Sequence, residues 1–155
     1  MTRIAQRSAP PTLQIERASL KVDSAEASQI WIGGGIGITP FIARMKQLAM
    51  DRQGYSGRPL TQAIDLFHTT ADYSEEAIGR LRADAEAAGV RLHVLHDPRD
   101  GLLTGKQIRA AVPDWEQASV WFCGPAGFGV ALRNDFASHG LPAAESFHQE
   151  LFAMR

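Results

Sequence analysis

The chain has a single cysteine in 155 residues, Cys123, which excludes an internal disulfide framework and a thiolate zinc cluster. It lacks any apolar run near the roughly 18 residues that a membrane-spanning helix needs. Met1 to Pro11 is polar and holds no apolar stretch of the signal-peptide kind. Charge of one sign is missing too. With 16 Lys and Arg against 17 Asp and Glu, the formal net charge is −1, so there is no electrostatic footprint for nucleic acid or an anionic membrane. No internal repeat appears. Together these absences predict a reducing, cytoplasmic setting and one domain with a tail, long enough to bury a core.

Regular patterning is present from residue 29 onward. Residues 1–28 carry Pro10-Pro11, scattered charges and weak alternation at Leu13, Ile15, Leu20 and Val22, and read as a linker or the remnant of a preceding domain. Gln29 to Ile32 is a short apolar strand running into glycines, as expected of a strand buried on both faces. Thr39 is placed to cap a helix and Pro40 to occupy its first turn. Phe41, Ile42, Met45, Leu48 and Ala49 then form one buried stripe. Residues 51–59 read as a surface loop.

Ala63 to His68 is a second strand, and Asp72 with Glu75 has capping-box spacing ahead of a helix that stops at Gly89. Val90 to His96 is a third strand, followed by turn chemistry at residues 97–101. Thr104 with Gln107 repeats the capping-box spacing before a short helix ended by Pro113. Ser119 to Cys123 is a fourth strand, and Gly124-Pro125 opens a helix ended by Gly140. A last short strand falls near Glu145 to His148. His93 and His96, three apart on a strand, point to opposite faces, so no metal site is expected.

Alternating strands and helices predict an α/β fold: a three-layer α/β/α arrangement over a five-stranded parallel sheet, Rossmann-like. Ligands in such sheets bind beyond the carboxyl ends of the strands, where strand order reverses. Two glycine clusters, Gly33 to Gly37 and Gly124 to Gly129, lie at strand carboxyl ends and should converge on one crevice. The turn Gly33-Gly34-Gly35-Ile36-Gly37-Ile38-Thr39-Pro40 leaves backbone N–H groups without Cβ atoms in the way, ahead of a helix N-terminus, which is what a phosphate requires. Its structural alternative is glycine simply terminating a strand. The usual dinucleotide fingerprint wants a third glycine where Pro40 stands and an acidic residue about 20 positions on; both are absent.

Three elements in order carry a resemblance. Gly35-Ile36-Gly37-Ile38-Thr39-Pro40 resembles the G-x-G-x-x-P motif of the ferredoxin–NADP reductase superfamily, and Cys123-Gly124-Pro125 resembles its C-G-P motif. Phe147-His148-Gln149-Glu150-Leu151-Phe152 is similar to the family's ending, where a glutamate precedes an aromatic that stacks on flavin. The stretch from Gln29 to Arg155 looks most like the C-terminal domain of bacterial ferric-reductase-like membrane proteins.

That resemblance implies an NAD(P)H-binding domain passing hydride to FAD and onward to a haem or ferric acceptor. It places Gly33, Gly34, Gly35, Ile36, Gly37 and Ile38 at the pyrophosphate, Thr39 beside the nicotinamide and its ribose, and Gly124 and Pro125 on the opposite wall. Cys123 and Glu150 join Thr39 at the hydride-transfer site, and Phe152 covers the flavin. Plain alternatives are a core cysteine, a surface glutamate and a packed phenylalanine. Ala153-Met154-Arg155 follow Phe152, a departure from plant-type reductases. At the adenine end stand Thr70 and Asp72; Asp72 would repel a 2′-phosphate, which favours NADH, unless it serves only as a helix cap. Residues 1–28 are too few to build the superfamily's flavin-holding β-barrel, so that domain is expected in cis or in trans. A haem-bearing membrane domain is a further expected partner, with this chain at the cytoplasmic face. A non-catalytic module sensing nucleotide redox state, and a structural α/β domain, are the other readings.

Overall fold

A computed structural model describes residues 28–51 and 63–149. Glu150 and Phe152 lie outside the described residues, as do most of the expected linker and the 52–62 stretch. Among the described residues the sheet has five strands: β1 (Gln29–Gly34), β2 (Ile64–Thr70), β3 (Arg91–His96), β4 (Ser119–Cys123) and β5 (Phe147–Gln149). Their order across the sheet is β3-β2-β1-β4-β5, and every pairing is parallel.

The helices are α1 (Thr39–Met50), α2 (Glu75–Ala88), the single turn α3 (Asp97–Asp100), α4 (Gly105–Ala111), α5 (Ala126–Ser138) and the single turn α6 (Ala143–Ser146). Side chains alternate across each strand, so the two faces collect different partners. Trp31, Leu66 and Cys123 form one apolar cluster with Phe41 and Met45 of α1 and with Ile78, Leu81 and Ala85 of α2. Ile30, Ile32, Phe67, Val120 and Phe122 form the other with Ile108 of α4 and with Leu132 and Phe136 of α5. Helices therefore cover both faces, giving the expected three layers. Central strands β1 and β2 are buried almost throughout, which is why they read as continuous apolar runs.

Four local expectations change. Thr39 is not a cap: Gly35–Ile38 is already a 3-10 turn, so Thr39 begins α1 from inside a helical path, and no side chain caps α1. Asp72 does not cap α2 either. Ser74 does, its hydroxyl accepting from the Ala77 N–H at 3.2 Å. Asp72 is held back because its N–H donates to Thr70 Oγ, which in turn donates to the Asp72 carbonyl at 2.8 Å. β2 runs on to Thr70, since Thr69 still finds Gly34 as a neighbour and Thr70 finds His96. The final strand is Phe147–Gln149, preceded by the turn α6 rather than beginning at Glu145. Two expectations are met in detail: Thr104 and Gln107 form a complete capping box on α4, and Gly89 ends α2 at φ 76°.

Candidate functional site

Strand order reverses between β1 and β4, because the chain winds outward from β1 to β3 and then returns to the other side of β1. The carboxyl ends of these two strands therefore flank a crevice. Gly33 of β1 is in register with Cys123 of β4, so the two glycine-bearing turns leave the sheet side by side.

Backbone here meets backbone. A Cβ on Gly37 would collide with the carbonyl of Cys123, and one on Gly124 would lie 3.2 Å from the Gly34 nitrogen. A Cβ on Gly34 would press on Pro125 at 3.2 Å. Gly35 differs: it has φ 59°, the left-handed region, and open space around it. The sequence Gly35-Ile36 thus projects from the fold, with Ile36 92 % exposed, while Gly37 is buried against β4. A helical turn opening at Gly35 offers N–H groups with no earlier carbonyl to bind, the usual basis of an anion cradle.

A cavity of about 710 Å³ adjoins this turn. Gly34, Gly35, Thr69 and Pro125 form its side toward the sheet, and Leu102, Leu103, Phe128 and Leu132 its apolar side. Asp97, Thr104 and Asp135 supply the polar rim. Asp135 is occupied, its two oxygens each 3.3 Å from the Arg109 guanidinium. In Asp97 the Oδ1 atom is buried with no hydrogen-bond partner among the described residues.

The structure thus brings Gly33, Gly34, Gly35, Ile36, Gly37, Gly124 and Pro125 together around the switch point. Ile38 is half-buried, while Thr39 is exposed at the start of α1 beside Pro40. Cys123 is only 4 % exposed and packs in the α1 side of the core, so its backbone rather than its sulfur faces the turn. Burial pushes its thiol pKa up, which keeps it protonated near neutrality. Thr70 and Asp72 close their own turn and are not among the residues lining the cavity.

Three residues escape a reading of the sequence. His68 is buried beneath the glycine turn and its Nδ1 donates to the Gly33 carbonyl at 3.0 Å. Burial lowers the His68 pKa, against the opposing pull of the Gly33 bond and the nearby Asp97 charge, so the imidazole is neutral. Asp65, fully buried on β2, receives two hydrogen bonds from Arg91 at 2.8 Å and one from His93 at 2.9 Å. Asp97 is the third. A charged residue inside the apolar run of β2 is the signal for Asp65, since a buried carboxylate demands partners.

The fold is a doubly wound α/β domain with a glycine-lined crevice at its switch point. Comparisons with known proteins find the same fold in reductases. No protein-family model matches the chain. It is 28 % identical over 134 residues to an NADPH oxidoreductase of Mycobacterium tuberculosis, covering 85 % of this chain and 33 % of that protein. It is 31 % identical over 122 residues to the ferredoxin reductase component of 3-ketosteroid-9-alpha-monooxygenase from Rhodococcus rhodochrous, covering 77 % and 32 %. The chain thus spans about a third of the length of these curated relatives. Among solved structures, a cytochrome P450 reductase from Amycolatopsis superposes with a TM-score of 0.59 at 23 % identity over 92 % of this chain and 42 % of that one. A ferredoxin-NADP+ reductase from Plasmodium falciparum, crystallised with 2′P-AMP, gives 0.58 at 17 % identity over 80 % and 52 %. The fold is shared with part of each of these reductases.

Proposed function

We propose that this chain is the NAD(P)H-binding domain of a flavin-dependent oxidoreductase of the ferredoxin–NADP reductase type. The observation that carries the reading is the meeting of two turns, Gly33 to Pro40 and Cys123 to Pro125, across the switch point, with Gly37 packed on Cys123. Structural glycines at strand ends do not need that mutual fit, nor an exposed left-handed Gly35 beside a cavity. The oxidoreductase names of the relatives support the same reading.

In this reading the N–H groups of Gly34 to Ile38 hold the pyrophosphate, and Thr39 with Pro125 flanks the nicotinamide. Cys123 lends its backbone to that wall, with its thiol packed behind it in the core. When bound, the nicotinamide supplies a hydride and FAD accepts it, so the chain need furnish no general base. Its work is alignment and exclusion of water. FAD is held by a β-barrel domain in cis or in trans, with Glu150 and Phe152 completing the hydride-transfer site from this side. Thr70 and Asp72 border the adenine end, with NADH the preferred nucleotide. Electrons pass on to a haem or ferric centre. Relatives named as reductases of oxygenases and of cytochrome P450 support an iron-containing protein acceptor, at the cytoplasmic face where that partner is a membrane protein.

Titrating the isolated chain with NADH and NADPH, followed by amide NMR, tests the cradle. Perturbations centred on Gly34 to Thr39 and Gly124 are expected, with weak affinity and no hydride transfer until a flavin domain is added. Protein that purifies with stoichiometric FAD and reduces an acceptor by itself would overturn the division of labour. No response to either nucleotide at millimolar concentration would overturn the reading as a whole.

A further inference from the structure

Gly105 opens α4, Asp135 lies on α5, and both line the cavity beside the glycine turn. A Cβ on Gly105 would enter the Asp135 carboxylate, so α4 begins directly against α5. The same carboxylate is gripped from one turn further along α4. Arg109, four residues after Gly105 and so on the same helix face, brings Nε and Nη2 to its two oxygens at 3.3 Å each. Only 16 % of the Arg109 side chain is exposed, so this is not one of the solvated surface pairs that contribute little. The Arg109 guanidinium also lies 5.9 Å from the centre of the Trp115 ring, which tilts against buried Phe136 of α5. Two-pronged contact to a carboxylate fixes direction as well as distance. Arg109 itself is not among the residues lining the cavity. What depends on it is the stretch 101–104, which is neither helix nor strand and leads straight into α4. Leu102, Leu103 and Thr104 of that stretch form one wall of the cavity.

We propose that Arg109 and Asp135 are positioning residues of the nucleotide site: their clamp seats α4 on α5 and thereby sets the wall formed by residues 102–104. This rests on the nucleotide-binding reading above. With the pyrophosphate on the glycine turn and the nicotinamide between Thr39 and Pro125, the adenosine half enters the cavity and meets that wall. A helix of seven residues does not hold its own place, since helices this short draw their stability from packing. The clamp supplies a fixed contact at its first turn, where the wall begins. Removing either partner frees the start of α4 while the buried residues Ile108 and Leu132 still hold the two helices in the core.

The experiment measures 5′-AMP binding to the purified chain by calorimetry and amide NMR, for the natural protein, Asp135→Asn, Arg109→Gln and the double variant. The probe is an anion, so the sign of each effect separates a clamp from plain charge. By charge alone Asp135→Asn should tighten binding and Arg109→Gln should weaken it. A clamp weakens binding in both, each by about three- to tenfold, the scale of one hydrogen bond. The double variant should then be no weaker than the weaker single variant, because both substitutions remove the same contact. Amide spectra of the free variants establish that each is folded. Should Asp135→Asn not fold, Arg109→Gln decides alone: its loss should persist at about 0.5 M salt, where charge acting from outside the cavity is screened. Opposite signs, a loss confined to Asp135→Asn, a loss that salt erases, or binding unchanged in folded variants overturns the clamp while the nucleotide site stands. Failure of 5′-AMP to bind the natural protein overturns the site and the inference together.

Discussion

Gly37 lies so close to Cys123 that a single methyl group on its Cα would enter the Cys123 carbonyl. This contact joins the glycine turn to the end of β4 and makes one crevice out of two loops. Gly37→Ala should therefore push the turn off the strand. The expected cost is about 1–3 kcal/mol of stability, the usual penalty of forcing volume into packed structure. Nucleotide-induced shifts at Gly34 to Thr39 should be lost with it. Gly79 provides the contrast. It sits inside α2, and a methyl group on its Cα would have no neighbour within 4 Å, so Gly79→Ala should stabilise by roughly 0.5–1 kcal/mol through helix propensity. Urea unfolding of the two variants checks both signs.

Asp65 dictates the acid limit of the fold. Burial pushes its pKa up, but the hydrogen bond from His93 and the bonds and charge of Arg91 outweigh this and hold it below the ordinary carboxylate value. A carboxylate whose folded pKa is depressed contributes stability above its unfolded value and loses it as pH falls through the folded one. Unfolding midpoints should thus drop below about pH 4, where unfolded aspartate begins to take up protons. Asp65→Asn should flatten that drop and cost about 1–3 kcal/mol at neutral pH, since Arg91 and His93 lose their shared acceptor. A natural-protein profile with no decline below about pH 4, or one that Asp65→Asn leaves unaltered, would remove Asp65 from this role.

The layered fold is legible in the sequence because β1, β2 and β4 are short apolar runs, two of them ending in glycine turns, and the helices between them carry capping signals. Cys123-Gly124-Pro125 and Gly33 to Pro40 fall at one crevice by strand-order logic alone. Less legible is the start of each helix. Asp72 and Ser74 both precede α2, and only the turn that Thr70 makes with Asp72 decides between them. Thr39 imitates a cap because the glycine turn is itself helical, so the residue lies past the first turn. Asp97 and the cavity are hidden for a different reason: they depend on how α4 and α5 approach the end of β3, which no local pattern encodes.

The reassigned cap gives a direct test. Ser74→Ala should cost about 1 kcal/mol, because the Ala77 N–H loses its acceptor at the start of α2. Asp72→Ala should cost less, since the Thr70–Asp72 turn uses the backbone of residue 72 and not its carboxylate. For a domain of this size about 1 kcal/mol is a shift of roughly 2–4 °C in Tm, readily seen by scanning calorimetry. The reverse order of the two variants would restore Asp72 as the cap.

His68 links stability to the geometry of the cradle. Its Nδ1–H holds the Gly33 carbonyl, the last fixed point before the turn opens at Gly35. Burial lowers its pKa, so protonation favours the unfolded chain. The sign follows: this contribution is complete above the unfolded value of about 6.5 and is lost as pH falls through the lower folded value. His68→Asn can keep a side-chain N–H near Gly33 while removing the titration; His68→Leu keeps the bulk and removes the donor. Asn should retain nucleotide-induced shifts at Gly34 to Thr39 and remove the His68 share of the decline in stability as pH falls below about 6.5. Leu should also remove that share but weaken nucleotide binding by about three- to tenfold, the worth of one lost hydrogen bond at the turn. Equal binding by both variants would show that the bond to Gly33 serves the sheet alone and does not shape the cradle.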